Sequence, residues 1–305
     1  YYVATLYIEV TYSSSNPQTE QLHFRWRNDD GSESGATWQA VEDSNSISSI
    51  SPGSVNRLRL ESANTGTGSE SSARTYELQW GEKSTDCGSI SNWYGLADSS
   101  DAWDMGSSQL SEGSATTAQL ANSESYTFTA GEQRETADTT GSMGPLGESA
   151  FTENEYSFKA ASYATAGSTY CFRFYDAAAG AALDNYAVYP EATVANSAPE
   201  VSNVVLNGGD PIDLTEGATT SVPITATITD ANSCEDVFSN GSITARVYRS
   251  GVGDTCTADD NNCYTDITLS EDGSTCSGGG DTTGDATGTV NIEFFAQPTD
   301  SGSSW

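Results

Sequence analysis

The segment Asn56–Glu61, NRLRLE, alternates with a period of two residues, so Leu58 and Leu60 share one face of an extended strand while Arg57, Arg59 and Glu61 share the other. The same alternation recurs on both sides of it. Before it come Thr5–Tyr12 (TLYIEVTY) and Gln21–Arg27 (QLHFRWR), and after it Arg74–Trp80 (RTYELQW), Ser125–Thr129 (SYTFT) and Asn154–Ala160 (NEYSFKA). Ser168–Tyr175 (STYCFRFY) and Tyr186–Val194 (YAVYPEATV) continue the series, each bounded by Gly, Ser, Asn and Asp. No window of about a dozen residues carries a helical apolar stripe. The pattern predicts an all-β chain of two tandem antiparallel β-sandwich domains, immunoglobulin-like in type, with an extra N-terminal strand.

The boundaries follow from composition. Ala195–Glu200 (ANSAPE) is a short Pro-containing hinge, which divides residues 16–195 from a second, disulfide-rich domain at 196–305. Val201–Leu206, Thr220–Thr229 and Ser242–Ser250 read as the opening strands of that second sandwich. Gly251–Gly288 reads as a long excursion rich in Cys, Asp and Gly, followed by one more strand, Thr289–Ala296 (TVNIEFFA). Four or five strands fall short of the roughly seven usual for such a fold, so the second domain reads as unfinished. At the other end, LYIEVTYSSSNPQ (6–18) echoes VYPEATVANSAPE (188–200), so residues 1–15 read as an extra strand and linker. That strand either closes a neighbouring domain, with Leu6, Ile8 and Val10 as its alternate apolar positions, or is simply the first strand of domain one.

Composition excludes several partners. The chain has 305 residues, 11 Lys+Arg against 43 Asp+Glu, and a net charge of −32, with lysine only at Lys83 and Lys159. A field of this sign repels nucleic acid and anionic lipid. Hydrophobic residues make up only 35%, which leans toward disorder, but 10% aromatic residues set in alternating segments can fill a core. No apolar run is long enough to span a bilayer as a helix, so no transmembrane segment is expected. No leader precedes Tyr1, and the absence of an initial Met reads as a processed protein or a fragment.

Six cysteines form an even set without a C-x-x-C pair, and His23 is the sole histidine. This favours three disulfides and an extracellular or cell-surface location over zinc or redox chemistry. Cys87 and Cys171 are the only two in domain one and are expected to pair. Cys234, Cys256, Cys263 and Cys276 allow three connectivities; the one preferred here closes a tight Cys256–Cys263 loop and leaves Cys234 to Cys276.

HFRWRNDDGSE (23–33), RLRLESANTG (57–66), TYELQWGEKSTDC (75–87), the Trp-rich stretch from SNWYGL to DAWDM, FTENEYSFKA (151–160) and STYCFRFYD (168–176) resemble a repeat of large surface proteins from uncultured bacteria. TITDANSCEDV, VYRSGVGDTCTADDNNCY and FFAQPTDSGSSW resemble a module that accompanies it. The resemblance implies a cell-surface, adhesin-like or pilus-like architecture of β-sandwich modules and no particular activity.

With one histidine, Ser-His-Asp and Cys-His catalysis have at most His23 as base, and no nucleophile elbow accompanies it, so no enzyme is expected. Glu153 and Glu155 share a strand face, as paired carboxylates or, more plainly, as a solvated edge. Calcium is the candidate cofactor: Asp230, Asn232 and Asp236, and Asp259 with Asp260, are the leading ligands, ahead of the acidic turn at 28–33, although turn chemistry explains the same residues. Asn240-Gly241-Ser242 is the one acceptable glycosylation sequon, and Lys159 in its strand is read as a solvent-facing lysine rather than an isopeptide donor. Trp93, Tyr94 and Trp103, in Gly-, Ser- and Asp-rich loops, read first as core plugs, because large aromatics in small domains pack, and in the alternative as binding aromatics.

Two functions fit these residues. The first is a structural subunit or segment of an extracellular filament, assembled from copies of the chain by donation of residues 1–12 to the sheet of Thr289–Ala296 in the next copy. The second is a surface adhesin that takes glycans or partner proteins on its loop aromatics.

Overall fold

The computed structural model of the chain describes residues 16–44, 46–96, 101–121, 124–259, 262–276 and 280–293. It is all-β, with three sheets. The segment carrying Leu6, Ile8 and Val10 lies outside the described residues, as do Asp260 and everything after Glu293.

The first part runs β1 (Thr19–Arg27), β2 (Ser46–Ile50), β3 (Val55–Asn64), β4 (Tyr76–Glu82), β5 (Trp103–Met105), β6 (Thr127–Arg134), β7 (Ala150–Ala160), β8 (Thr169–Asp176), β9 (Ala181–Ala182), β10 (Asn185–Tyr186) and β11 (Glu191–Val194). One sheet has the order β10-β1-β3-β7-β5, and β6 shares with β5 the same edge of β7. The facing sheet has the order β2-β11-β8-β4, with β9 on β8. Most pairs are antiparallel, but β1 with β10, β2 with β11 and β6 with β7 are parallel, which departs from the antiparallel expectation. Alternation fixes which face a strand buries, whereas direction depends on the long connections that return each strand to its partner.

Between these sheets lies an aromatic core. Phe24, Trp26, Leu58, Leu60, Tyr156 and Phe158 from one sheet meet Leu78, Tyr170, Phe172 and Phe174 from the other, all essentially inaccessible. Trp103 is fully buried among Phe158, Tyr170 and Phe172, with ring centroids 5.0 to 5.6 Å apart in edge-on geometry. Each such pair contributes about 0.5–1.5 kcal/mol beyond the area it buries.

The second face of the first sheet is buried too. Register sets Arg57 opposite Ser157, Arg59 opposite Glu155 and Glu61 opposite Glu153, all on the side away from the aromatic core. The segments 28–40 and 107–120 lie over this side. Arg57 Nε donates to Glu155 Oε1 at 2.7 Å, while Arg59 Nε and Arg27 Nη1 donate to Glu155 Oε2 at 3.0 and 3.1 Å. Arg59 Nη1 also donates to Glu153 Oε2 at 2.7 Å, and Arg59 pairs with Glu33 of the covering loop. Backbone carbonyls of Gly31, Ala36 and Thr117 accept from Arg57, Arg27 and Arg59, and the amides of Gln119 and Leu120 donate to Glu153. Trp38 covers the Arg25 and Arg27 guanidinium groups at 4.5 and 4.2 Å.

Glu153 and Glu155 are therefore not a solvated edge; both are 0% exposed. The strand pattern marks their face as polar but carries no sign that loops close over it. At Gly131, where β6 bulges against β7, a Cβ would stand 2.1 Å from the Glu153 carbonyl oxygen, so only glycine permits the approach.

The second part has β12 (Glu200–Leu206), β13 (Thr219–Thr229), α1 (Cys234–Asn240), β14 (Ile243–Tyr248), β15 (Cys263–Glu271) and β16 (Thr283–Glu293), in the sheet order β12-β13-β16-β15-β14. Thus 251–288 is not one excursion: β15 and the start of β16 lie inside it. β16 is also no terminal edge, because β13 pairs with all of it, from Thr219↔Glu293 to Thr229↔Thr283. β15 joins β16 only at Ser270↔Thr287 and Glu271↔Ala286. The β14–β15 hairpin otherwise contributes Val247 and Leu269 to a small core with Val222, Ile224, Ile228, Val290 and Ile292. The linker is fastened rather than loose: Asn232 accepts from the Ser197 amide at 2.7 Å and donates to the Ala195 carbonyl at 2.8 Å.

Removing Glu155 leaves three buried guanidinium groups under-compensated, so Glu155→Ala is expected to destabilise the first part by about 3–5 kcal/mol. Breaking the partly exposed Lys83–Glu191 pair with Lys83→Ala is expected to cost under about 1 kcal/mol. Urea unfolding of both variants measures the contrast.

Candidate interaction surfaces

Three disulfides are present: Cys87–Cys171, Cys234–Cys276 and Cys256–Cys263. The first organises a surface. Cys171, Arg173 and Tyr175 alternate along β8 on the face away from the core, beside Gly81, Gln79 and Glu77 of β4. The bond to Cys171 holds the Cys87–Ser89 turn, capped by Asp86 through the Ser89 amide at 2.9 Å, against this face. Trp93 then lies with the Arg173 guanidinium 4.3 Å over its ring and Tyr189 stacked at 5.9 Å, and Tyr186 stacks on Tyr189 at 5.3 Å. Gln79 Oε1 accepts from Arg173 at 2.8 Å and fixes the guanidinium plane.

The three candidate aromatics of the loops do not converge. Trp93 belongs to this half-buried ladder, and Tyr94 packs on Trp80 at 5.0 Å while remaining 46% exposed. Trp103 is a core residue, as the burial reading of these aromatics has it and against its place among the binding residues, because its three-residue strand pairs with β7 and turns the indole inward. In its place the fold brings Tyr163, 43% exposed, to the rim of a cavity of about 520 Å³ that Trp80, Glu82, Tyr94, Asp101 and Tyr170 also line. Tyr163 sits in a turn between β7 and β8, where no strand pattern could have flagged it.

The acidic turns expected to hold calcium are engaged otherwise. Asp230 is buried and accepts from the Asn232 amide at 2.8 Å, and Asn232 clamps the linker. Asp236 is exposed on α1, and Asp259 accepts from the Asn262 side chain at 3.0 Å. Among the described residues no three His, Cys, Asp or Glu ligand atoms gather at either turn, and Asp260 lies outside those residues. The acids there serve backbone turns, which is why Asp and Asn occur in them.

A group that sequence reading passed over does gather around His23. Its Nδ1 is 2.7 Å from Asp43 Oδ2 and its Nε2 is 3.4 Å from Glu124 Oε2. The bond to Asp43 holds the imidazole pKa up to about 9 against the opposing effect of burial, with Asp43, Glu61 and Glu124 adding their charges. Glu61 is fully buried, and burial pushes its carboxyl up to about 8, with His23 opposing and Glu153, Glu124 and Glu42 reinforcing the rise. Alternation alone places His23 with Arg25 and Arg27 on the charged face of β1; the missing signal was its acidic partners, Asp43 and Glu124, which arrive from segments 20 and 101 residues away.

Both groups bind a proton more tightly when folded. The His23 contribution is complete below about pH 6.5 and is lost through about pH 9, and that of Glu61 is lost as pH rises from about 4.5 through about 8. Urea midpoints in metal-free buffer are therefore expected to fall between about pH 6 and about pH 9, and to fall less in Glu61→Gln. Comparison with protein-family models and with curated proteins finds no match to the chain.

Proposed function

We propose that the chain is a structural segment of an extracellular surface fibre, built from copies of itself joined head to tail by strand addition at the second sheet. The observation that carries this reading is the edge at β12. Among the described strands β12 pairs only with β13, and Val201 and Val204 on it are 61% and 66% exposed. Although Glu200 and a bulge between Ser202 and Val205 interrupt it, this seven-residue edge presents two exposed valines, and we read it as a docking site. An added strand gains affinity from main-chain hydrogen bonds and specificity from alternate side chains. Residues 1–12 offer that format, with Leu6, Ile8 and Val10 as the alternate apolar set. Among the described strands the outer members of the acceptor sheet are β12 and β14, not the strand at Thr289.

An extracellular setting is supported by three disulfides, and no helix among the described residues is long and apolar enough to cross a membrane. The strongly acidic surface keeps such a segment soluble away from its docking edge. The reading assigns no catalysis.

One observation favours a second reading, a surface adhesin. Tyr94 and Tyr163 present exposed aromatic faces at one cavity with Glu82 and Asp101, the mix of ring and acceptor that takes sugars by stacking and hydrogen bonding.

Deleting residues 1–12 is expected to abolish filaments in electron micrographs while leaving the circular dichroism of the chain unchanged. Val201→Lys with Val204→Lys is expected to do the same from the acceptor side. Filaments formed by the truncated chain contradict the reading, and glycan binding lost in Tyr94→Ala without any assembly favours the adhesin.

A further inference from the structure

The carboxylates around His23 are in excess of the cations that face them. Asp43 takes the imidazole and the Phe24 amide at 2.9 Å, and among the described residues Glu42 takes the Ala121 amide at 3.0 Å on both oxygens. Neither, nor Glu61, has an arginine or lysine ion pair among the described residues. The nearest arginine on the same sheet face, Arg59, is spent on Glu33, Glu153 and Glu155. Arg25 turns away, donating to the Ala40 carbonyl at 2.9 Å under Trp38.

Glu61 is the second, independent observation. It is 0% exposed, and both carboxylate oxygens are buried with no hydrogen-bond partner among the described residues. An ionised carboxylate so placed is strongly disfavoured, so Glu61 either holds a proton or shares a positive charge brought to it. It stands in β3 next to the β1 bulge that presents His23, and after the effect of burial the charges it feels are those of His23, Glu153, Glu124 and Glu42, so it faces the cluster. One ligand atom from each of His23, Glu42 and Asp43 lies within 4.8 Å of the others, a spacing that one ion can span.

We propose that His23, Glu42 and Asp43 bind a divalent metal ion, with buried Glu61 supplying the compensating negative charge from the strand beneath. The donor set mixes one imidazole nitrogen with carboxylate oxygens, which suits Mn²⁺ or Zn²⁺ better than Ca²⁺, a cation that prefers an all-oxygen shell. The ion ties the loop after β1 to the charged face of the first sheet, so its role is to lock the covering layer. The site is separate from the acidic turns at Asp230 and Asp259.

The test is calorimetric titration of the full chain, stripped with a chelator, using MnCl₂, ZnCl₂ and CaCl₂ in turn. Saturable stoichiometric binding of Mn²⁺ or Zn²⁺ is expected, abolished in His23→Gln and weakened about tenfold or more in Glu61→Gln. Bound Mn²⁺ is also expected to give an electron spin echo signal from a histidine nitrogen. Absence of saturable binding overturns the site, as does binding that ignores His23→Gln or Glu61→Gln, which places the ion elsewhere on the acidic surface. If circular dichroism reports that a variant is unfolded, Glu42→Gln, altered at a half-buried loop position, takes its place, and unchanged affinity in that variant overturns the proposal.

Discussion

The Glu155 carboxylate accepts from three arginines in a space closed to water, and the first part of the molecule is arranged around that fact. Each of Arg27, Arg57 and Arg59 is essentially inaccessible, so each must find its acceptors inside the protein. The acceptors come from two sources: Glu153 and Glu155 across the β3–β7 ladder, and the carbonyls of 28–40 and 107–120 above it. A one-residue slip of β7 against β3 would carry the glutamates into the aromatic core and strand three charges. The network thus specifies register and loop placement together. It also explains how a chain with so few apolar residues orders: one face of the sheet is filled by aromatic rings, the other by paired charge.

The second part lacks such a layer. Its small core is roofed by the β14–β15 hairpin and supported by α1, while β12 stands at the rim with exposed valines. The Cys234–Cys276 bond and the Asn232 clamp secure the end of this sheet nearest the linker. A charge-locked first part, fastened to a sheet whose outer strand among the described residues exposes two valines, is a sound geometry for serial connection. That contrast, more than any single residue, favours the proposed fibre segment over a self-contained binding domain.

Much of this was legible in the sequence, and the failures have physical causes. Alternation in NRLRLE and NEYSFKA correctly sorts Leu58, Leu60, Tyr156 and Phe158 to the aromatic side. The same alternation cannot tell whether the polar side meets water or a loop, so Glu153 and Glu155 read as a solvated edge, and the burial of Glu61 on the same side goes unmarked. Trp103 reads as a loop aromatic because its strand is only three residues long, and CYTDITLSE reads as part of an excursion because its bulged pairing breaks the period. Asp230 and Asn232 carry the composition of a cation site, yet their oxygens are used by nearby amides. For the buried glutamates the deciding partners are distant in sequence, supplied by loops and a neighbouring strand that local pattern does not describe.

The claim that ties these findings together is that the second sheet is completed by another chain at β12. Hydrogen–deuterium exchange of Glu200–Leu206, compared between the dispersed chain and the native surface material, tests it most directly. Amides of β12 are predicted to exchange quickly in the dispersed chain and to become strongly protected in the assembled material, while β3 and β7 are protected in both. Equal exchange of β12 in the two states would contradict the account.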